Sequence, residues 1–217
     1  MLIVGAKGHA KELLDIIEKN KIDEKIYFFD DISKDAETKL YGKYPILRNF
    51  QEIDKIDSPA KIFALGIGTP KLRFLMAQKL KNLGWHLTSI ISDTAQIANH
   101  NVILGDGINV MHNAFISNDV TIGEGSLINA NTMVHHDVSI GKFCEISPGS
   151  CLTGGVKVGD FSFIGAGSVI IPKVIIGNYC IIGAGSVVTK DIPEQSVAVG
   201  VPARVIKKTS PQDLPCF

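Results

Sequence analysis

The sequence predicts two joined architectures: a small Rossmann-like α/β domain over residues 1–92 and a left-handed parallel β-helix over residues 93–207, followed by a tail over 208–217. Three observations predict them. From Leu104 to Val188 every sixth residue is aliphatic, without a slip (Leu104, Val110, Ile116, Ile122 and onward). Within that run, Val-x-(Leu/Ile/Val)-Gly recurs every eighteen residues, at 102–105, 120–123, 138–141, 156–159 and 174–177. Before residue 93, strand-like and helix-like apolar patterns alternate.

A six-residue period fits neither a helix of 3.6 residues per turn nor a strand that alternates every two. Three six-residue strand-plus-turn units close one triangular coil, and the coils stack. Residues eighteen apart then lie one above the other at the strand spacing of about 4.8 Å. Each recurring glycine follows an inward aliphatic, at a corner where a Cβ would obstruct.

Lys plus Arg equals Asp plus Glu at 22 each, so no net field selects nucleic acid or an anionic membrane. No apolar run approaches the roughly 18–20 residues of a membrane span. Met1 leads straight into a strand without a basic leader, so a cytoplasmic protein is expected. Cys144 and Cys180 take the small inward position two coils apart, too distant for a disulfide; Cys151 points outward and Cys216 lies in the tail. No Cys-x-x-C is present, so the cysteines support neither a zinc site nor a disulfide framework.

In chain order, residues 2–4 read as a strand. Ala10, Leu13, Leu14 and Ile17 follow i, i+3, i+4, i+7 and predict a helix ending near Asn20. Residues 26–29 form a second strand, 32–47 a loop with a short extended piece at 44–47, and 62–65 a third strand. A helix over 70–83 starts on Pro70 and places Leu72, Leu75, Met76, Leu80 and Leu83 on one face. Residues 85–91 read as a fourth strand. The loop Gly5-Ala6-Lys7-Gly8-His9 follows a strand and opens a helix, so its N–H groups can hold a phosphate. It is not Gly-x-Gly-x-x-Gly, which argues against a full dinucleotide. Asp30 stands 22 residues after Gly8, where an acidic side chain meets a ribose or base, and Gly66-Ile67-Gly68 adds a third loop open to close approach.

Ile97 is one residue out of step with the series from Leu104, which marks the domain boundary. The small domain is expected to cap the open end of the β-helix, whose bare edge would template aggregation. Asp191-Ile192-Pro193 breaks the period at the other end, and from about Lys207 the chain reads as a loose tail.

Most corners are Gly, Asn, Ser or Asp; His135-His136-Asp137 is the exception. A histidine beside a carboxylate suits general-base work near neutral pH. Eighteen residues on from His136 stand Gly154 and Gly155, a corner whose bare N–H groups form a candidate oxyanion site. Asn118 lies one coil below, with Asn129 and Asn131 as nearby polar groups. Ala166 and Ala184, again eighteen apart, make a smooth groove suited to a long thin ligand such as a pantetheine arm. His86, His100 and His112 lack a supporting constellation and read as structural.

The hexapeptide coil, His136-Asp137, the Gly-Ala-Lys-Gly-His-Ala opening, the Phe29-Asp30-Asp31 strand end and Gly200-Val201-Pro202-Ala203-Arg204 together resemble the bacterial sugar O-acyltransferases of the sialic acid O-acetyltransferase type. Within that family they look most like the N-acetyltransferases of nucleotide-linked 4-amino sugars. The resemblance implies a homotrimer with acetyl-CoA held between neighbouring coils. It implies that His136 is the base, helped by Asp137, and that the Gly154 amide stabilises the tetrahedral intermediate. Ala166 and Ala184 would line the CoA channel, with Gly155, Pro202 and Arg204 also on the cofactor side. Gly8, His9, Asp30, Asp31 and Gly66 would hold the nucleotide sugar, UDP-linked by this likeness, and Asn129 would contact its sugar. Related enzymes carry a second histidine nine residues after the base, touching the acyl donor; here that cofactor position is Glu145.

The expected reaction is acetyl transfer from acetyl-CoA to the 4-amino group of a nucleotide-activated deoxy-sugar for surface glycans. No Cys or Ser has a base arranged beside it, so direct attack is expected rather than an acyl-enzyme. O-acetylation of a sialic-type sugar stays open, as does non-catalytic nucleotide-sugar binding. A zinc lyase on the same coil would need three converging histidines, but His136 has Gly154 and Asn118 at plus and minus eighteen, so no metal is expected. Residues 1–92 are too few for a nucleotidyltransferase domain.

Overall fold

The structure, a computed structural model, describes residues 1–21, 24–33, 37–56 and 58–209. The N-terminal part runs β1 (Leu2–Val4), α1 (Gly8–Lys19), β2 (Tyr27–Phe29), β3 (Lys39–Leu40), β4 (Tyr44–Leu47), α2 (Phe50–Ile53), β5 (Ile62–Leu65), α3 (Pro70–Asn82) and β6 (His86–Leu87). These strands make one sheet in the order β3-β4-β2-β1-β5-β6, parallel except for the β3–β4 hairpin. The loops after β1, β2 and β5 therefore meet at one edge of the sheet. The stretch expected as loop over 32–47 is partly hairpin, with Leu40, Tyr44 and Ile46 buried. On α3 the buried face is Pro70, Arg73, Met76, Ala77 and Leu80, while Leu75 and Leu83 are each 40% exposed. Arg73 interrupts the apolar stripe, so the sequence pattern picks out a face rotated toward solvent.

From Ile90 onward the chain is the coil. Two-residue strands on three faces stack in parallel, each residue over the one eighteen on: Ile128 with Ile146, Val134 with Leu152, Ile140 with Val158. The aliphatic series is buried from Val110 to Val188, and Leu104 packs partly buried against it. Cys144 and Cys180 are buried in the small inward column. Hydroxyls in that column and in the matching column of the next face are satisfied by a carbonyl fifteen residues on: Ser126 on Gly141 and Ser162 on Gly177 in the first, Ser150 on Gly165 and Ser168 on Gly183 in the second. A Cβ on Gly123, Gly141 or Gly159 would lie 2.6–2.7 Å from backbone of the next coil, so close approach is what demands glycine at those corners.

Three expectations need correction. Ile90–Ile91 already pairs with Asn109–Val110 in the coil, and Gln96–Ile97 pairs with Phe115–Ile116, so the coil begins before residue 93. The slip at Ile97 is one extra residue inside the first coil, where paired residues are nineteen apart, and is not the junction. The N-terminal domain is not confined to the open end, where Asn20 Nδ2 donates to the edge carbonyl of Ile91 at 2.8 Å. It packs along the face that carries Ile90, Asn109, Leu127 and Glu145, with Met111 and Leu127 in the core of α1 and Phe143 in the core of α3. Phe74 of α3 meets Phe143 and Phe161 edge-on, and Phe161 stacks on Tyr179. At the far end Ser196–Gly200 extends the same face and turns back as Ala203–Lys208. Lys208, expected in the tail, belongs to this hairpin; the tail from 210 lies outside the described residues. Among the described residues no helix is long and apolar enough to cross a membrane.

Candidate active site

His135, His136 and Asp137 form the corner after Met133–Val134. Asp137 takes a left-handed φ of 61°, which turns the chain, and its carboxylate stands 2.6 Å from His136 Nδ1. With Nδ1–H donating to that carboxylate, Nε2 carries the lone pair that a general base needs. Both side chains are exposed, 65% and 64%. The eighteen-residue period decides what stands above them. A Cβ on Gly154 would lie 2.5 Å from imidazole Cε1 and 2.7 Å from Nε2, so the ring occupies the side-chain space that Gly154 leaves. The Gly154 N–H has no intramolecular partner among the described residues, whereas Gly155 N–H donates to the His136 carbonyl at 2.9 Å. Of the two amides expected to be bare, only that of Gly154 is open to an oxyanion. One coil below, Asn118 has a buried Oδ1 with no partner among the described residues. His135 points elsewhere, against Phe115, with ring centroids 6.0 Å apart.

Ala166 and Ala184 stack as the period predicts, the Gly185 amide bonding Ala166 O at 2.8 Å. Gly149, Gly167 and Gly185 share that corner, and a Cβ on any of them would meet nothing within 4 Å. This open column is not the corner of His136. It precedes the face of Phe115, Met133, Cys151 and Val169, and His136 follows that face. Asn129 sits on the same preceding corner, where its Oδ1 accepts from Ala130 N at 2.8 Å, rather than beside His136. Pro202 and Arg204 lie in the terminal hairpin, where Arg204 Nη1 donates to Ala203 O and Gly200 N to Ser186 Oγ.

A cavity of about 300 Å³ opens where the loops after β1, β2 and β5 meet, lined by residues 5–9, Asp30, Ile32, Ser33, residues 66–69 and Leu72. A slot of about 170 Å³ continues from it past Phe29, Asp31, Leu75, Met76 and Lys79. Leu75 is exposed because it walls this slot. α1 begins at Gly8 with no side-chain cap, which leaves first-turn N–H groups for an anion. Gly66 also has a packing reason, since a Cβ there would lie 2.7 Å from Val4 O. Asp30 is nearly buried; its Oδ1 accepts from the Ile32 and Ser33 amides at 3.2 and 2.9 Å, and Arg48 stands 3.7 Å from its Oδ2. Burial pushes the Asp30 carboxyl up, but the Ser33 and Ile32 donors and Arg48 outweigh it and hold the group below its ordinary value. Asp30 thus braces the loop, and exposed Asp31 is the freer ligand group.

His9 lies at the floor of the cavity with both ring nitrogens engaged. Nε2 faces Asn109 Nδ2 at 3.1 Å and Nδ1 faces Glu12 Oε2 at 3.4 Å. Burial lowers its pKa; Arg73 adds to that, and Glu12 opposes it. A neutral ring donating from Nδ1 and accepting at Nε2 satisfies every partner.

Sequence reasoning passed over Arg73 and Asn109. Arg73 is fully buried, with Nε donating to Gly125 O at 2.7 Å and Nη1 to Leu65 O and Ile67 O at 2.9 and 2.7 Å. Asn109 Nδ2 donates to the same Leu65 carbonyl at 2.8 Å. Together they fasten the third loop of the cavity to the coil. Burial lowers the Arg73 pKa to about 10, far above neutrality. The sequence signal was a lone cation between Pro70 and Met76 on the buried face. Glu145, expected on the cofactor side, stands on the face against the N-terminal domain, with Oε2 3.0 Å from where Gly68 would carry a Cβ. His112, read as lacking partners, bridges Asp15 Oδ2 at 3.1 Å and Ser92 Oγ at 2.7 Å. A serine therefore does have a base beside it. Ser92 is 3% exposed and already accepts the Thr94 amide, so the trio clasps α1 to the coil. Among the described residues no cluster of His, Cys, Asp and Glu is arranged to hold a metal ion.

Residues 1–80 match the PglD N-terminal domain, and residues 119–154 and 155–190 match the bacterial transferase hexapeptide (six repeats). A perosamine N-acetyltransferase from Caulobacter crescentus, solved with CoA and GDP-perosamine, is 30% identical, with a TM-score of 0.85 over 95% of this chain and 96% of that one. The chain belongs to the hexapeptide-repeat sugar N-acetyltransferases. Two further solved structures are 26% identical over 94% of this chain and 98% of theirs. They are the acetyltransferase domain of PglB from Neisseria gonorrhoeae, also solved with acetyl-CoA, and WeeI from Acinetobacter baumannii, with TM-scores of 0.86 and 0.87. No curated protein sequence matches the chain significantly.

Proposed function

We propose that this N-acetyltransferase moves acetyl from acetyl-CoA to the 4-amino group of a nucleotide-linked amino-deoxy-sugar for surface-glycan synthesis in the cytoplasm. The observation that carries it is the corner where Asp137 fixes Nδ1 of His136 and Gly154 stands beside Nε2. The amine nitrogen attacks the thioester carbonyl. His136 Nε2 takes the amine proton, the Gly154 N–H receives the oxyanion, and the C–S bond breaks to release CoA. The nucleotide sugar lies in the N-terminal cavity, with phosphates at the start of α1 and the base in the slot beside Asp31 and Leu75. Ala166, Ala184 and the open glycines of their corner flank the pantetheine arm, with Gly155, Pro202 and Arg204 farther along the cofactor path.

The base and the small-residue column sit on different corners, on either side of one face. That face exposes Phe115, Met133 and Val169 at 36%, 42% and 37%. Packing through this apolar stripe in a closed ring sets the His136 corner of one copy against the Ala166 column and Asn129 of the next. A homotrimer with sites between copies is the assembly that follows. The test is thiol release from acetyl-CoA across UDP-, GDP- and dTDP-linked 4-amino-4,6-dideoxyhexoses and their 4-hydroxy counterparts. Turnover with an amino sugar is expected, and the preferred nucleotide is read directly. Silence with every sugar, or turnover of the hydroxy sugars alone, overturns the assignment.

A further inference from the structure

Glu145 is a charged neighbour of the cavity that the assignments above leave without a task. With phosphates at α1 and the base in the slot, the sugar is left the side formed by residues 66–69. Across that side stands the coil, where Asn109 meets His9 of the cavity floor and Glu145 lies beside Gly68 of the third loop. Glu145 Oε2 comes within 3.0 Å of the Cβ position of Gly68, so a side chain at 68 would wall it off from the cavity. Its Oε1 accepts from Ser147 Oγ at 3.3 Å, which fixes the carboxylate on its strand.

The nearest buried cation does not neutralise it by contact. Arg73 commits Nε and Nη1 to three backbone carbonyls, its Nη2 has no partner among the described residues, and it reaches Glu145 only through the field. Burial pushes the Glu145 carboxyl up, and Arg73 and Ser147 oppose it. A half-buried carboxylate beside a glycine gap, at the sugar end of a nucleotide pocket, is a receptor for a cationic or N–H-bearing group.

We propose that Glu145 reads the amino group of the acceptor: its carboxylate binds the sugar amine as the ammonium ion in which it arrives, a charge that a hydroxyl cannot carry, and so selects amino over hydroxy sugars. This rests on the reading that the cavity holds a nucleotide amino sugar. It moves Glu145 from the donor to the acceptor, and it leaves proton removal to His136 of a neighbouring copy.

The test is calorimetric titration of the full-length protein with UDP-, GDP- and dTDP-linked 4-amino-4,6-dideoxyhexose, each beside its 4-hydroxy counterpart. The wild type is expected to bind the amino sugar at least about tenfold more tightly, the size of a partly buried charge-assisted hydrogen bond. Glu145→Gln and Glu145→His should remove that gap while affinity for the hydroxy sugar and KM for acetyl-CoA stay put, which also reports an intact fold. A gap that survives in both variants overturns the proposal. So does a rise in KM for acetyl-CoA with the gap unchanged, which would return Glu145 to the donor. Thiol release without an amine preference sinks this inference alone, whereas no thiol release with any sugar sinks the reading beneath it.

Discussion

His136 and His9 each stand beside a carboxylate, and their surroundings set them to opposite tasks. His136 is 65% exposed on a coil corner, with Nδ1 held by Asp137 and Nε2 open beside Gly154. The His9 side chain is 11% exposed between two domains, with Glu12 at one nitrogen and Asn109 at the other. A carboxylate partner alone therefore does not make a base. What separates the two rings is the second nitrogen: left open in one, closed by an amide in the other. Motif reading, which sees a histidine and a nearby acid, cannot register that distinction.

The comparison can be broken most directly at His136. Replacing it with Ala should lower kcat by at least about 10²-fold, the usual share of general-base catalysis, with KM for the nucleotide sugar little changed. A near-normal kcat in steady-state thiol release would remove the corner from the mechanism. A subtler variant is Gly154→Ala, whose Cβ would lie 2.5 Å from Cε1 of the ring. The imidazole must shift, and kcat should fall about tenfold or more through misplacement alone. If kcat holds, the ring is not required to sit where the coil puts it. The smallest effect concerns His9, whose pKa is lowered chiefly by burial. The unfolded chain takes up a proton below the ordinary value of about 6.5 that the folded site refuses, so stability is lost as pH falls through that value. His9→Gln should lose less Tm than the wild type between about pH 7.5 and 5.5. Parallel Tm curves for the two proteins would mean that His9 is not the group that refuses the proton.

The coil was legible because its signal repeats. One misread residue among Ile128, Val134, Ile140 and Ile146 would not have hidden the period, and the same arithmetic put Gly154 over His136. Closeness in sequence misled where the period would not have: Asn129 was taken as a neighbour of His136 although its place within the eighteen puts a whole face, Met133–Val134, between them. Arg73 and Asn109 were invisible for a different reason. Their burial depends on docking between domains, through bonds that span 52 residues to Gly125 and 44 to Leu65. No local pattern carries such a bond. α3 shows the cost: with Arg73 counted as polar, Leu75 and Leu83 were assigned to the core, whereas Leu75 walls the ligand slot.

The stacked corner glycines also govern how this lineage can lengthen or shorten. Gly141 approaches Asp160 N so closely that its missing Cβ would lie 2.6 Å away. One residue inserted between two such corners would bring a side chain into that gap and throw every later hydroxyl off its carbonyl. Departures from eighteen fall only in the two end coils, where paired residues are nineteen apart at the start (Gln96 with Phe115) and sixteen apart at the finish (Ile181 with Val197). Growth by duplication is thus restricted to whole turns of eighteen residues, each adding about 4.8 Å of height. The length of co-substrate that a descendant can accommodate along its edge is inherited in steps of that size.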